Sequence, residues 1–151
     1  MDFYSIVLFA HIVGALLVFV LLTIEGLGLR FGFSYAPLNR ALGPVAVLLI
    51  LVPGLYMMKA QWGWTGWVVT GLVSYALIAA LGAYTGIRVM RGSMDQRMAT
   101  ISWLVRIGAA LGIVFDMSVK PDALLSVLAV VVGIVVGAAA GVVARRQAAP
   151  A

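Results

Sequence analysis

The chain has no cysteine and little charge. Of its 151 residues none is cysteine, and only 10% are Asp, Glu, Lys or Arg. The absence of cysteine excludes a disulfide scaffold. Soluble domains carry about 25% charged and about 45–50% apolar residues, whereas 64% of this chain is apolar. Because a chain of this length cannot bury that much apolar surface in one core, a soluble globular enzyme is excluded as well.

The sequence also lacks the usual catalytic motifs. Histidine occurs once, at His11, so there is no paired-histidine metal motif and no second ligand for a bis-histidine haem. These absences favour a protein that is not an enzyme. The net charge of +5 would suggest nucleic acid on a soluble chain. On a membrane chain the position of the charges matters more, and no nucleic-acid partner is expected.

What the chain does have is five apolar runs near the length of about 20 residues that crosses a bilayer. They predict an all-α, polytopic membrane protein with five transmembrane helices in one bundle, at residues 3–24, 41–59, 67–87, 101–117 and 123–144. Residues 1–146 are expected to form a single transmembrane domain and 147–151 a disordered cytoplasmic tail. The fourth run gives the weakest signal, because it is short and contains Arg106. If it did not span, the C-terminus would change sides.

Basic residues are distributed unevenly between the connections. The N-terminal side has two, Lys59 and Lys120. The opposite side has seven, at Arg30, Arg40, Arg88, Arg91, Arg97, Arg145 and Arg146. The positive-inside rule then places the N-terminus outside and the C-terminus in the cytoplasm. We expect a multi-pass protein of a bacterial cytoplasmic membrane, with the lipid bilayer as its first partner.

Glycine recurs every fourth residue on the later helices. The repeats are Gly82 and Gly86, Gly108 and Gly112, and Gly133, Gly137 and Gly141. Apolar contact alone does not drive helix association in lipid, whereas glycine lets two backbones approach closely. The repeat on the fifth helix therefore predicts a packing face. An internal neighbour is favoured over a second copy of the chain. Separately, Pro53 predicts a bend in the second helix.

Ionisable residues at membrane depth are costly and mark candidate sites. Glu25, at the inner end of the first helix, is level with Arg106 on the fourth and also with Arg30 and Arg88. It is expected to form an ion pair at the inner interface, with Arg106 as the first candidate partner. Asp116 and Lys120 are four residues apart near the outer end of the fourth helix, which predicts a second, structural pair.

His11 is expected about 12 Å into the first helix, at about 1.5 Å per residue. The predicted topology places Met57, Met58 and Met117 in the same outer half. Imidazole and thioether ligands suit Cu(I), and a neutral imidazole also binds haem iron. His11 is therefore the candidate cofactor ligand, and His11 with these methionines is the candidate metal site. In the alternative, the methionines fill gaps in the packing and His11 donates to a backbone carbonyl.

Three stretches of the sequence carry a family resemblance. They are Ala10-His11-Ile12-Val13-Gly14-Ala15 leading to Glu25, Gly54-Leu55-Tyr56-Met57-Met58 followed by Trp62-Gly63-Trp64, and Gly112-Ile113-Val114-Phe115-Asp116-Met117 running into Lys120-Pro121-Asp122. Together they resemble a family of small bacterial integral membrane proteins catalogued only as a domain of unknown function. That resemblance implies the five-helix fold and no assigned activity.

A more distant resemblance rests on His11 and Gly14. Their His-x-x-Gly pattern is similar to the HemJ-type protoporphyrinogen oxidases and the CopD-type copper proteins. In the HemJ type this histidine is associated with haem, alongside a lysine in a later helix. The resemblance implies that His11 would be the ligand.

Three functions remain open from the sequence. The first is a non-enzymatic accessory or assembly component of a membrane complex, including a homo-oligomer. The second is a haem- or copper-binding redox protein that uses His11. The third is a small transporter or exporter subunit with Glu25 and Arg106 in its pathway. The first is favoured, because most of the features have adequate structural explanations.

The distribution of basic residues makes the topology testable. A reporter that is active only in the periplasm should be silent when fused at residue 151, because seven basic residues hold that side in the cytoplasm. Reporter activity in cells is the measurement. A bright signal at this position would show that the topology is the reverse of the predicted one or that the fourth helix does not span the membrane.

Overall fold

The computed structural model describes residues 2–147, with side chains through Ala144. Five helices in this part of the chain are long and apolar enough to cross a membrane. They are α1 (Phe3–Phe31), α2 (Ala36–Met57), α3 (Gly66–Met90), α4 (Gln96–Val119) and α5 (Ala123–Gln147). The predicted all-α class with five transmembrane helices is confirmed. Of the predicted tail, Gln147 is the last residue of α5, and residues 148–151 lie outside the described residues.

Aspartate side chains fix the starts of two helices. At α1, the Asp2 carboxylate accepts a hydrogen bond from the Ser5 amide at 2.9 Å, and hydrogen bonding by Ser5 lowers the pKa of this carboxyl. At α5, Asp122 accepts from the Leu125 amide at 2.9 Å. Both caps satisfy an amide that has no partner within its own helix.

The fourth helix is longer than its apolar run. Asp95 caps its start by accepting from the Arg97 amide at 3.3 Å, and it ends before Lys120, whose φ of 52° is left-handed. Its 24 residues reach about 36 Å at about 1.5 Å per residue. Since bilayer hydrocarbon is about 30 Å thick, α4 is long enough to span.

The second helix runs through its prolines. Pro44 and Pro53 both lie inside α2, which remains helical at each of them. It continues into a π-helical turn at Met58–Trp62, closed by a hydrogen bond of 2.7 Å from the Gly63 amide to the Met58 carbonyl. The connection expected at residues 60–66 is therefore shorter than predicted, because its first three residues are helical.

The first compact unit, Met1–Trp64, is an antiparallel pair of α1 and α2. The two backbones come close at Gly14, where an added Cβ would lie 2.8 Å from the Leu49 backbone. Where α1 begins, the rings of Phe3 and Tyr56 meet edge to face with centroids 5.2 Å apart. Close backbone approach and aromatic packing together hold this pair.

The second compact unit begins at Thr65 and contains α3, α4 and α5. The most extensive pairing within it is between the antiparallel α4 and α5. A Cβ added at Gly108 would overlap the Gly133 carbonyl, and one added at Gly137 would overlap the Leu104 carbonyl. The glycine repeat of α5 therefore packs on α4. The expectation of an internal neighbour is confirmed.

The glycine contact predicts a difference between two identical substitutions. Gly137→Ala should destabilise the protein by about 1–3 kcal/mol, the usual range for overpacking, because its methyl would meet the Leu104 backbone. The control is Gly86→Ala on α3, where nothing lies within 4 Å of an added Cβ. Since alanine favours helix over glycine by about 1 kcal/mol, this control should be neutral or slightly stabilising. Thermal unfolding in detergent measures both, and equal melting temperatures would contradict the described packing.

Candidate functional site

His11 is bound to the neighbouring helix of its own unit. Its Nδ1 lies 2.9 Å from the Ile50 carbonyl oxygen, and a Cβ added at Gly54 would lie 3.2 Å from the imidazole Cε1. Pro53 lies in this turn of α2, which remains helical, and has no N–H to donate to the Leu49 carbonyl next to Ile50. A carbonyl oxygen only accepts, so Nδ1 carries the proton and Nε2 the lone pair.

The methionines predicted around His11 fall in both units. Met57 is buried at the end of α2, and Met58 begins the π-helical turn one helical turn beyond Gly54. Both belong to the unit of His11. Met117 belongs to the second unit, where its methyl group packs against Gly71. Among residues 2–147 no three His, Cys, Asp or Glu side chains come together as a metal site. Metal binding by His11 with the three methionines stays a prediction.

Glu25 is buried in the first unit, with 3% of its surface exposed. The Asn39 side chain, near the start of α2, donates from Nδ2 to Glu25 Oε2 at 3.4 Å. Sequence reasoning missed Asn39. The available signal was an amide at the same end of the hairpin as the carboxylate, since α1 ends and α2 begins there.

Arg106 is buried in the second unit, with 4% exposed. Its Nε donates to the Ser102 carbonyl one turn earlier at 3.3 Å, and its guanidinium lies where Gly82 of α3 leaves room for it. The Ser102 hydroxyl is 2.7 Å from the Thr85 hydroxyl, which joins α4 to α3. Arg106 therefore takes part in the packing of α3 on α4. Its pairing with Glu25 stays a prediction.

A group that the sequence reasoning did not identify lies where α3 and α5 begin and α4 ends. Asp116 of α4 and Ser126 of α5 both have 0% of their surface exposed. The Ser126 hydroxyl faces the Asp116 carboxyl group. Among the described residues, the two carboxyl oxygens and the hydroxyl oxygen have no hydrogen-bond partner of ordinary geometry. We call these two residues the Asp116–Ser126 site.

The ion pair expected between Asp116 and Lys120 is not formed within the part of the chain that the structure describes. The helix ends at Val119 and Lys120 is left-handed, so the spacing of four residues no longer stacks the two side chains. The Lys120 ammonium lies instead over the Trp67 ring, 5.6 Å from its centroid. The expected ion pair is therefore wrong, and the Asp116 side chain faces α5 instead.

The sequence contains the signal for this site. Asp116 follows Gly108 and Gly112 at the same spacing of four, and Ser126 precedes Gly133 by seven, which is two helical turns. Each residue therefore continues the glycine face of its own helix. Because both faces pack together, the acid and the hydroxyl belong to one contact.

Comparison with protein-family models, with curated proteins and with solved structures gives no match to this chain. The resemblances to a family of small bacterial membrane proteins and to the HemJ and CopD types stay expectations.

Proposed function

We propose that this chain is a non-enzymatic protein of a bacterial cytoplasmic membrane, with its N-terminus outside, and an accessory or assembly subunit of a larger complex or homo-oligomer. The observation that carries the proposal is the use of polar side chains at membrane depth. In both units they bind the neighbouring helix: His11 the Ile50 carbonyl, and Thr85 the Ser102 hydroxyl. Interhelical hydrogen bonds of this kind join transmembrane helices.

The apolar surface supports the same proposal. Large aliphatic side chains are at least half exposed along all five helices, for example at Leu16, Leu48, Val73, Leu111 and Val135. In a membrane such faces contact either lipid or the helices of another chain. A subunit that assembles with other helices needs this surface, whereas its own contacts need only the buried positions.

Cross-linking in intact membranes tests the proposal. A photoreactive amino acid is placed at one exposed position per helix: Leu16, Leu48, Val73, Leu111 and Val135. At one or two of these positions we expect a discrete product of fixed mass, because a partner covers only part of the surface. The other positions serve as matched controls and should give lipid adducts alone.

The same variants in purified single-chain nanodiscs distinguish a different protein from a second copy of this chain. Products with either partner should disappear in discs that hold one chain. A product between two copies should return when two chains share a disc. Lipid adducts alone at all five positions, with a monomeric mass in native membranes, would contradict the proposal.

Haem or copper binding at His11 is a second candidate, favoured by the tautomer of this residue. Metal-bound histidines commonly donate their other ring N–H to a carbonyl, which aims the remaining nitrogen at the metal. The bond from His11 Nδ1 to the Ile50 carbonyl is such an arrangement. Nε2 would be the ligand, with Met57 and Met58 of the same unit as thioether candidates for Cu(I).

Two substitutions at His11 separate this candidate from the structural role. His11→Ala should cost about 0.6–1.7 kcal/mol, as for typical intramembrane hydrogen bonds. His11→Asn should recover most of that loss, because its amide can donate to the same carbonyl. Thermal unfolding measures both. If His11 is a ligand, the wild type from haem- and copper-supplied cells should carry the group and both variants should lose it. A colourless, copper-free wild type would exclude the second candidate.

A further inference from the structure

The contact between α4 and α5 has a register that extends to the Asp116–Ser126 site. The close approaches along it pair Ile101 with Gly141, Leu104 with Gly137, Gly108 with Gly133, and Gly112 with Ala129 and Val130. Each turn forward on α4 is matched by one turn back on α5. The next turn places Asp116 opposite Ser126, which agrees with the facing of their side chains. The two polar residues therefore occupy the last position of a contact otherwise made by glycine and apolar residues.

The third helix closes the same site with a glycine. A Cβ added at Gly71 would lie 3.4 Å from Asp116 Oδ2 and would overlap the Met117 methyl group. At Gly71 the α3 backbone thus comes close to the carboxyl group. Asp116 is enclosed by three helices and is fully buried.

Three ionisable side chains lie nearest to Asp116 along these helices. Directly after α4, Lys120 lies over the Trp67 ring. Before α5, Asp122 caps the helix through the Leu125 amide. On α3, Tyr75 is buried one turn beyond Gly71. The polar side chain that faces Asp116 is the Ser126 hydroxyl, which carries no charge.

A carboxylate enclosed at membrane depth, with only an uncharged hydroxyl shown to face it, is strongly disfavoured unless a positive charge neutralises it. We propose that Asp116 and Ser126 bind a small monovalent cation, either a proton or a sodium ion. As a protonated acid, Asp116 would gain an O–H to donate to Ser126. With sodium, the two carboxyl oxygens and the hydroxyl are the oxygen ligands that hard cations prefer.

The site is close to one end of its unit. Asp116 lies four residues before Lys120, where α4 has ended, which is a depth of about 6 Å at about 1.5 Å per residue. The predicted topology places this end outside the cell. The cation would therefore exchange with the external side.

Carbodiimide labelling of the full chain in detergent tests the proposal. Dicyclohexylcarbodiimide partitions into apolar surroundings and reacts there with protonated carboxyl groups, and peptide mass spectrometry locates the product. We expect labelling at Asp116 that slows as the pH rises. The exposed Asp95 and Asp122 should react instead with a water-soluble carbodiimide, and Asp116 should not.

Salt distinguishes the two cations. If sodium binds, NaCl should slow the labelling of Asp116 and equimolar KCl should not. If the proton alone binds, the two salts should act alike. Ser126→Ala should change the labelling rate by about threefold or more, as loss of an intramembrane hydrogen bond implies. Asp116→Asn should abolish labelling at this position.

The wild type alone can overturn the proposal, so it does not depend on how the variants fold. The proposal is overturned if Asp116 stays unlabelled at every pH tested. It is also overturned if the labelling responds to neither pH nor sodium. Reaction with the water-soluble reagent as fast as at Asp122 would overturn it too, because the carboxyl group would then be in contact with water.

Discussion

The direct contact between the backbones of α4 and α5 is what the second unit depends on. At Gly108 and Gly133 there is no room for even one added carbon on either helix. Lipid competes equally well for apolar side chains, so helices gain most by approaching more closely than lipid can. Glycine makes that approach possible here.

Polar side chains add specificity to packing that is otherwise apolar. In the first unit His11 binds the Ile50 carbonyl of α2, three residues before Pro53. In the second unit the Ser102 hydroxyl meets Thr85 across the contact of α3 with α4, and the Ser102 carbonyl accepts from Arg106 within α4. Hydrogen bonds to a chosen neighbour restrict helix rotation in a way that apolar contacts alone do not.

The sequence was sufficient for the number of helices and the glycine face of α5. The apolar runs underestimated helix length. An apolar run ends at the first charged residues, whereas α4 extends further, to its Asp95 cap. Periodicity shows which residues share a face but not which helix covers that face. The expected pairing of Asp116 with Lys120 failed for a different reason. A spacing of four assumes one continuous helix, and Lys120 lies beyond its end.

The position of Asp116 connects the candidate cation site to the packing. Its carboxyl group lies on the face that continues through Gly112 and Gly108, where α4 meets α5 most closely. An uncompensated charge there would have to be solvated, and water can reach it only if the ends of these helices separate. Cation binding and the pairing of α4 with α5 are therefore coupled by geometry. That coupling gives a physical reason for a carboxyl group, and not another small residue, at the end of a glycine face.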